Sequence, residues 1–556
     1  MEGKRIVNTE ACGGLGTLIQ MKKRHSLFSA LVLCVAFIGL QIPASASAYD
    51  AHPKLVVVII IDQFRGDYLD RGHDSFEQGG FRLFMEKGAW FSNCNYEYAN
   101  TRTAPGHATL FTGAYSNGHG IINNEWWDAA KKKVVTSVDD DMTSVVGLDH
   151  EEMGSSPHYL LADTVGDELR MATDGKARVF AISMKERSSV LPAGYSGTAF
   201  WPDKISGSWI TSTYYMKELP QWVVAYNQTK PADKFWNREW KVGDTVLRST
   251  NKPGQLDKKE NNFYEIVGST PYANDFELDF ARQMIAAEKL GQGEATDMLL
   301  ISLSANDILG HKVGPNTPES KAMTQALDGQ LASFFDYLGK EIGLGNVWIA
   351  LSADHGVSTA PSFLSDIKVP SAYLSDAQIT KSINTALSTK YGKAEYVPKM
   401  EWPLVFLDPA PFMAAKISED DAERMVGDML KPYGSRGTYT RAQIAKNDVP
   451  NDSIGKRFLN SYTPQASWFV YAVSPPFFVA RSQGTGTDHA MPWSYDRHVP
   501  LAFYGLPFQP GVYRGACQPV DLAVTLANLL GINNPSAAVG RVLTEALRPS
   551  TTEAGR

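Results

Sequence analysis

Cysteine is scarce in this chain, with four among 556 residues. That excludes a disulfide-stapled mini-domain and leaves stability to a hydrophobic core. Cys12 and Cys34 fall in a stretch expected to be removed, so Cys94 and Cys517 are the pair left to the mature part, and one disulfide is allowed between them. An excess of positive charge is also missing. Lysine and arginine number 53 against 60 acidic residues, a formal net charge of -7. Such a balance provides no electrostatic footprint for nucleic acid. No apolar run reaches the ~20 residues that a bilayer crossing needs, the run Leu27–Leu40 being too short. Internal repeats and low-complexity tracts are lacking as well, which excludes a solenoid and a largely disordered chain.

What is present is length and apolar content. A chain of 556 residues with 43% hydrophobic and 20% charged residues can bury a large core, as one elaborated α/β domain or as two joined lobes. The N-terminus carries an export pattern: basic Met21-Lys-Lys-Arg24, apolar Leu27–Leu40, and small residues at Ala46-Ser-Ala48 before Tyr49. Residues 1–48 are therefore expected to be a leader, with the signal proper from Met21, and the mature protein to be periplasmic or secreted without a stable membrane span. Cys34 follows Val-Leu and gives no lipoprotein pattern. The leader holds Lys4, Arg5, Lys22, Lys23 and Arg24 against Glu2 and Glu10, so its removal takes the net charge from -7 to -10.

Apolar β-like runs alternate with helical patterns. Leu55–Ile61, Arg178–Ser183, Met298–Leu303, Val347–Ser352 and Leu501–Tyr504 are the expected strands. Tyr159–Ala172, Asp275–Leu290, Pro318–Leu338, Glu419–Leu430 and Pro519–Leu530 are the expected helices. The alternation predicts an α/β fold with a mostly parallel central sheet flanked by helices over residues 49–556. Two stretches differ in texture and are expected to be cap insertions: about 191–272, with Trp201, Trp209, Trp222, Trp236 and Trp240, and about 364–460. Most of those aromatics read as packing of an accessory core.

Candidate chemistry gathers where strands stop, the place where such sheets bind ligands. Asp62 ends the first apolar run. Asp307-Ile-Leu-Gly-His311 follows another strand, and its spacing of four puts carboxylate and imidazole on one helix face, with Gly310 permitting close approach. Asp354-His355 follows a third strand, and adjacent residues there can diverge toward two neighbouring ions. Mixed carboxylate and imidazole ligands suit zinc, with Ca2+ or Mg2+ favoured where oxygens dominate. Thr103-Ala-Pro-Gly-His107 opens a helix-like segment whose amides and dipole would face an anion. Thr103 reads either as a nucleophile, its proton removed with the help of a Lewis acid, or as a plain helix N-cap. His107 and His119 read as structural. Asp139–Asp141 reads first as a solvated acidic turn, with an additional Ca2+ or Mg2+ as the alternative.

These motifs together resemble the alkaline phosphatase superfamily, in particular its threonine-nucleophile, periplasmic monoesterase branch. The resemblance spans nearly all of residues 54–545 and rests on Asp62, Thr103 to His107, Asn124, Lys185-Glu-Arg187, Asp307 with His311, Asp354-His355, His489 and the closing stretch Asp521–Ile532. It implies two zinc ions per chain. One would be held by Asp307, His311 and His489, the other by Asp62, Asp354, His355 and the Thr103 oxygen, about 4 Å apart. It implies a phosphothreonine intermediate and retention at phosphorus. His498 competes with His489 for the ligand role, and the resemblance favours His489.

The same resemblance aims Lys185, Arg187 and Asn124 at the phosphoryl oxygens. A dianionic monoester gains most from such a clamp, so an alkaline phosphatase acting on a broad range of small phosphate monoesters is expected. A phosphodiesterase or nucleotide pyrophosphatase on the same scaffold is the alternative. A sulfatase is disfavoured, since Cys94 is followed by Asn-Tyr-Glu and no Cys-x-Pro-x-Arg signature is present.

Overall fold

The computed structural model describes residues 52–251, 263–481 and 484–548. The expected leader 1–48, with Cys12 and Cys34, lies outside the described residues.

β1 (Leu55–Ile61) is a run of Leu, Val and Ile with every side chain buried, as expected for a strand covered by helices on both faces. The further strands of its sheet are β2 (Ala89–Asn95), β3 (Asp139–Val146), β4 (Met153–Ser155), β5 (Val179–Ser183), β6 (Thr198–Pro202), β7 (Trp209–Ser212), β8 (Asp297–Leu303), β9 (Val347–Ser352), β10 (His498–Tyr504) and β11 (Gly511–Tyr513). Their order is β11-β2-β10-β9-β1-β8-β5-β6-β7-β3-β4. The central strands β9-β1-β8-β5-β6 are parallel. Antiparallel pairing begins on either side, with β10 against β9 and β7 against β6. Every strand expected from the sequence is there. The last, expected at Leu501–Tyr504, starts earlier at His498 and runs antiparallel, an orientation that an apolar run by itself does not encode.

Helices α1 (Thr103–Thr112), α2 (Val165–Ala172), α3 (Glu186–Ala193), α4 (Pro271–Glu288), α5 (Ala305–Val313), α6 (Pro318–Glu341), α7 (Glu419–Leu430) and α8 (Asp521–Leu530) include all those expected. The helix expected from Tyr159 begins only at Val165. Thr164 and Asp167 form a reciprocal capping box that sets its start.

Register places the functional strand ends side by side. Ile61 of β1 lies opposite Leu303 of β8, and Ser302 lies opposite Ser183 of β5. Ile60 lies opposite Ser352 of β9. Residues just past Ile61, Leu303, Ser352 and Ser183 therefore share one edge of the sheet.

The segment expected as an insertion at 191–272 first contributes β6 and β7 to the central sheet, so it leaves that sheet only after Ser212. It then holds the helix Gln221–Gln228 and the two-stranded ribbon of Glu239–Val242 with Thr245–Ser249. Its aromatics pack: the Trp209 ring stacks on Phe280 with centroids 3.8 Å apart. The second segment builds a four-stranded antiparallel sheet from Lys399–Glu401, Leu404–Phe406, Phe469–Val473 and Gly437–Thr440, in that order. It runs past 460 to Val473 and has its own core of Ile379, Leu387, Trp402, Phe412 and Val426.

Candidate active site

β1 hands over directly to Asp62, which is fully buried. β8 leads through Ser304 into α5, whose first turn carries Asp307 and whose next turn carries His311. The His311 Nε2 lies 3.1 Å from Asp307 Oδ1, as the spacing of four requires. β9 leads to Asp354 and His355, both fully buried. The helix α1 brings its N-terminus to the same place. Gly106 makes this possible, because a Cβ there would overlap the Asp354 backbone carbonyl.

Ligand atoms converge in three overlapping groups, each within 4.8 Å: Asp62 with Asp354 and His355; Asp307 with His355 and His489; and His311 with Asp488 and His489. The tautomers suit ligation. His355 donates Nδ1–H to the Gly356 carbonyl at 2.9 Å, His489 to Thr101 at 2.6 Å and His311 to Thr487 at 3.1 Å. A carbonyl only accepts, so Nδ1 carries a proton on each ring and Nε2 is the nitrogen turned to the cluster. His489 joins the cluster. His498 does not: its Nε2 donates to the Ser92 carbonyl at 3.0 Å.

The charges fit a pair of dications. Asp62 Oδ1 and Asp354 Oδ2 are buried with no hydrogen-bond partner. Burial, then the neighbouring Asp62 charge, pushes the Asp354 carboxyl well above its ordinary value. Burial lowers the His355 imidazole to about 3 and, with His355 and His311 beside it, holds His489 well below its usual range. Against the opposing effect of burial, His311 and Lys185 keep the Asp307 carboxyl well below the usual carboxylate range. Buried carboxylates this close together need cationic partners to stay ionised together. This donor set of carboxylate oxygen and imidazole nitrogen matches zinc.

Thr103 is buried, and its Oγ1 lies 3.5 Å from His355 Nε2. The N-cap position of α1 falls on Arg102, and no side chain caps the helix. The Thr103 hydroxyl is thus not consumed in capping. Asn124 Oδ1 accepts from the Ala104 N–H at 2.8 Å, which leaves the amide NH2 as a donor beside the start of α1. Lys185 occupies the N-cap position of α3, two residues past the end of β5, without a side-chain cap hydrogen bond. Its Nζ donates to Asp62 Oδ2 and, at 2.6 Å, to Asp307 Oδ2. Arg187 sits two residues further, with its guanidinium 3.7 Å from Glu186 and its Nε without a hydrogen-bond partner. Ten residues named from the sequence, Asp62, Thr103, Asn124, Lys185, Arg187, Asp307, His311, Asp354, His355 and His489, therefore meet at one edge of the sheet.

The remaining candidates lie elsewhere in the hydrogen-bonding scheme. His107 donates to the Thr103 carbonyl at 2.8 Å and accepts from the Ser302 hydroxyl at 2.7 Å, so both nitrogens are committed. His119 accepts from the Ile121 N–H and donates to Thr109. Asp141 pairs with Lys131 and Lys133 at 2.9 and 2.8 Å, and the acidic run joins none of the ligand groups.

Sequence reading missed several neighbours. Asp488 lies 3.9 Å from both His311 Nδ1 and His489 Nε2 and 3.7 Å from Arg102. Arg102, just before Thr103, pairs with Glu401 at 2.9 Å and donates to the Trp402 carbonyl at 2.8 Å, both in the accessory lobe. Tyr264 faces the Lys185 and Arg187 cations; burial raises its phenol to about 12. Gln63 reaches two carboxylates of the cluster. Only Asp488, adjacent to His489, carried a sequence signal, as a second potential ligand.

The family profile of type I phosphodiesterase / nucleotide pyrophosphatase matches residues 56–482. A Myroides odoratus protein named calcium-transporting ATPase is 34% identical over 520 residues, covering 89% of this chain and 95% of the relative. Alkaline phosphatase PafA of Elizabethkingia meningoseptica is 33% identical over 519 residues, covering 89% and 95%. A crystal structure of PafA superposes with a TM-score of 0.81 at 31% identity, covering 89% of this chain and 99% of that one. A PafA variant with a Thr, an Asn, a Lys and an Arg replaced superposes at 0.80.

Proposed function

Because the chain belongs to the type I phosphodiesterase / nucleotide pyrophosphatase family, on the branch of PafA-like alkaline phosphatases, it is a metal-dependent phosphomonoesterase, and we propose that it works through a phosphothreonine at a two-zinc site. The observation that carries this reading is the uncapped Thr103 hydroxyl at the N-terminus of α1, 3.5 Å from His355 Nε2 and beside the buried Asp62 and Asp354.

Asp307, His311 and His489 would hold one zinc, and Asp62, Asp354, His355 and Thr103 Oγ1 the other. Bound there, the metals supply Lewis acidity that lowers the pKa of the nucleophile and offsets charge on the leaving oxygen. Thr103 Oγ1 attacks phosphorus in line. The bond from phosphorus to the alcohol oxygen breaks as the bond to Oγ1 forms, and the alcohol leaves with a proton. Water then cleaves the phosphothreonine, returning the Thr103 hydroxyl and releasing inorganic phosphate. Two in-line steps give retention at phosphorus. The Thr103 N–H at the start of α1, the Asn124 NH2, Lys185 and Arg187 face the non-bridging oxygens, where a dianion gains most from them. The four residue types replaced in the PafA variant are those found here, in the same chain order, at 103, 124, 185 and 187.

Small monoesters of broad range are the substrates in this reading, since the cluster addresses the phosphoryl group. Export rests on the pattern from Met21 to Tyr49, and the segments 213–250 and 364–473 are read as caps on the same rim. The family description favours diesters as a second reading, which the Lys185 and Arg187 pair opposes. Among the described residues no helix is long and apolar enough to cross a membrane, and nothing in the site calls for ion transport.

The deciding measurement is kcat/KM on p-nitrophenyl phosphate against bis-p-nitrophenyl phosphate. A monoester preference of at least ~10²-fold is expected. A preference for the diester overturns the reading.

A further inference from the structure

Gln63 follows Asp62 directly and is 1% exposed, yet it is neither a core residue nor one of the proposed ligands. Its backbone sits at φ 62°, the left-handed region that a non-glycine residue adopts only when its surroundings hold it there. The surroundings are specific. Asn306 Nδ2 donates to the carbonyls of Asp62 and Gln63 at 3.0 and 2.9 Å, pinning the turn from both residues. The Gln63 N–H then points at Asp354 Oδ1, 3.1 Å away. The side chain turns to the other half of the cluster, where Nε2 donates to Asp307 Oδ1 at 2.6 Å. A carboxylate only accepts, so the amide nitrogen must be the atom facing Asp307. Gly310 leaves space for the amide, since a Cβ there would overlap Gln63 Oε1.

One residue thus holds a carboxylate of each proposed metal centre, with its main chain on Asp354 and its side chain on Asp307. We infer that Gln63 is a positioning residue that couples the two centres: it occupies Asp354 Oδ1 so that Oδ2 is left for metal, and it anchors Asp307 through Oδ1. That Asp307 oxygen faces His311 and His489 at 3.1 and 3.9 Å, while Lys185 holds Oδ2. The Asp354 oxygen that it leaves, Oδ2, accepts no hydrogen bond, and it belongs to the carboxylate grouped with Asp62 and His355. Hydrogen bonds to ligating carboxylates of this sort tune metal affinity by 10- to 100-fold. The inference rests on the two-zinc reading of the site.

Two variants separate the amide from the strained backbone. Gln63→Gly removes the side chain, keeps the N–H on Asp354 and suits φ 62°; Gln63→Ala removes the side chain and keeps the strain. Zinc content of holoenzyme titrated with a competing chelator, and the melting temperature of fully chelated protein, are measured for each. In both variants one zinc should dissociate at a roughly 10- to 100-fold higher free zinc concentration than in the unsubstituted protein. The chelated forms of Gln63→Gly and the original chain should melt within about 2 °C of each other, and kcat in saturating zinc should return to within about threefold. Equal zinc affinity in all three proteins overturns the inference. So does loss of zinc in Gln63→Ala alone, which would assign the effect to backbone strain, or a loss matched by an equally lowered melting temperature of the chelated protein. If the original chain itself retains no zinc, the two-zinc reading falls, an outcome distinct from three proteins that all keep two.

Discussion

Glu423 in the accessory lobe and Asp354 beyond β9 are both fully buried carboxyls whose pKa is raised first by burial. The lobe satisfies its carboxyl locally: Glu423 Oε2 accepts from the Ala442 N–H at 3.0 Å and Oε1 from the Phe469 N–H at 3.1 Å, tying α7 to the neighbouring helix and strand. The strand-end cluster does the opposite. Asp354 and Asp62 each keep an oxygen without a partner, and Asp307 lies a few ångströms away across the Lys185 ammonium. The same desolvation has two remedies, a proton with backbone donors in one region and a cation in the other. A buried acid with both oxygens occupied is a building part. Unpartnered oxygens that converge on imidazole Nε2 atoms mark a site where something binds.

The contrast breaks first if chelation or loss of the Thr103 hydroxyl leaves activity standing. Removing metal with a strong chelator should abolish phosphatase activity, and added zinc should restore it. Thr103→Ala should lower kcat on p-nitrophenyl phosphate by at least ~10³-fold, because the covalent step is lost while metals and cations remain. Steady-state rates with zinc content measured on the same sample check both, and a drop of only a few fold would return Thr103 to a helix-start role.

A smaller effect is expected from the cations that share the rim. Lys185→Ala and Arg187→Ala should each reduce kcat/KM for the monoester by roughly 10²-fold, with diester turnover changed by less than ~10-fold. Lys185 has a double attachment, to Asp62 and Asp307, so its removal should also alter zinc retention, whereas removal of Arg187 should not. Equal losses on both substrate classes would take the pair out of the specificity argument.

Much of this region was readable from sequence for a physical reason. Strands buried on both faces are written as continuous apolar runs, and in a parallel sheet the polar residue after each run falls on one edge. Asp62, Asp307 and Asp354 were therefore placed together without coordinates. His311 followed from helical spacing. What could not be read depends on contacts distant in sequence. The left-handed turn at Gln63 is held by Asn306, 243 residues away. Arg102 is anchored by Glu401, and Asp488 acquires meaning only once the chain returns beside His311. The antiparallel sense of β10 and the extent of the accessory lobe to Val473 are likewise set by pairing partners rather than by local pattern. The late start of α2 was legible, since Thr164 and Asp167 have cap spacing, and the apolar periodicity upstream obscured it.

The smallest effect tests the other side of the contrast. Glu423 has its carboxyl pushed up to about 8 in the folded protein, against about 4.3 for an unperturbed glutamate. The folded state therefore keeps a proton that the unfolded chain releases. The stability this contributes is complete below about pH 4, declines as pH rises through the interval, and is gone above about 8. Glu423→Gln cannot titrate, but its NH2 cannot accept from a backbone N–H, so it should lose one of the two hydrogen bonds at every pH. The variant should melt below the original protein at pH 5, and the gap should narrow by a few °C by pH 9. Because Glu423 is satisfied by backbone rather than by metal, the narrowing should have the same size in zinc-loaded and chelated protein. A gap that ignores pH, or that changes with zinc, would mean that the two buried carboxyls are not handled differently.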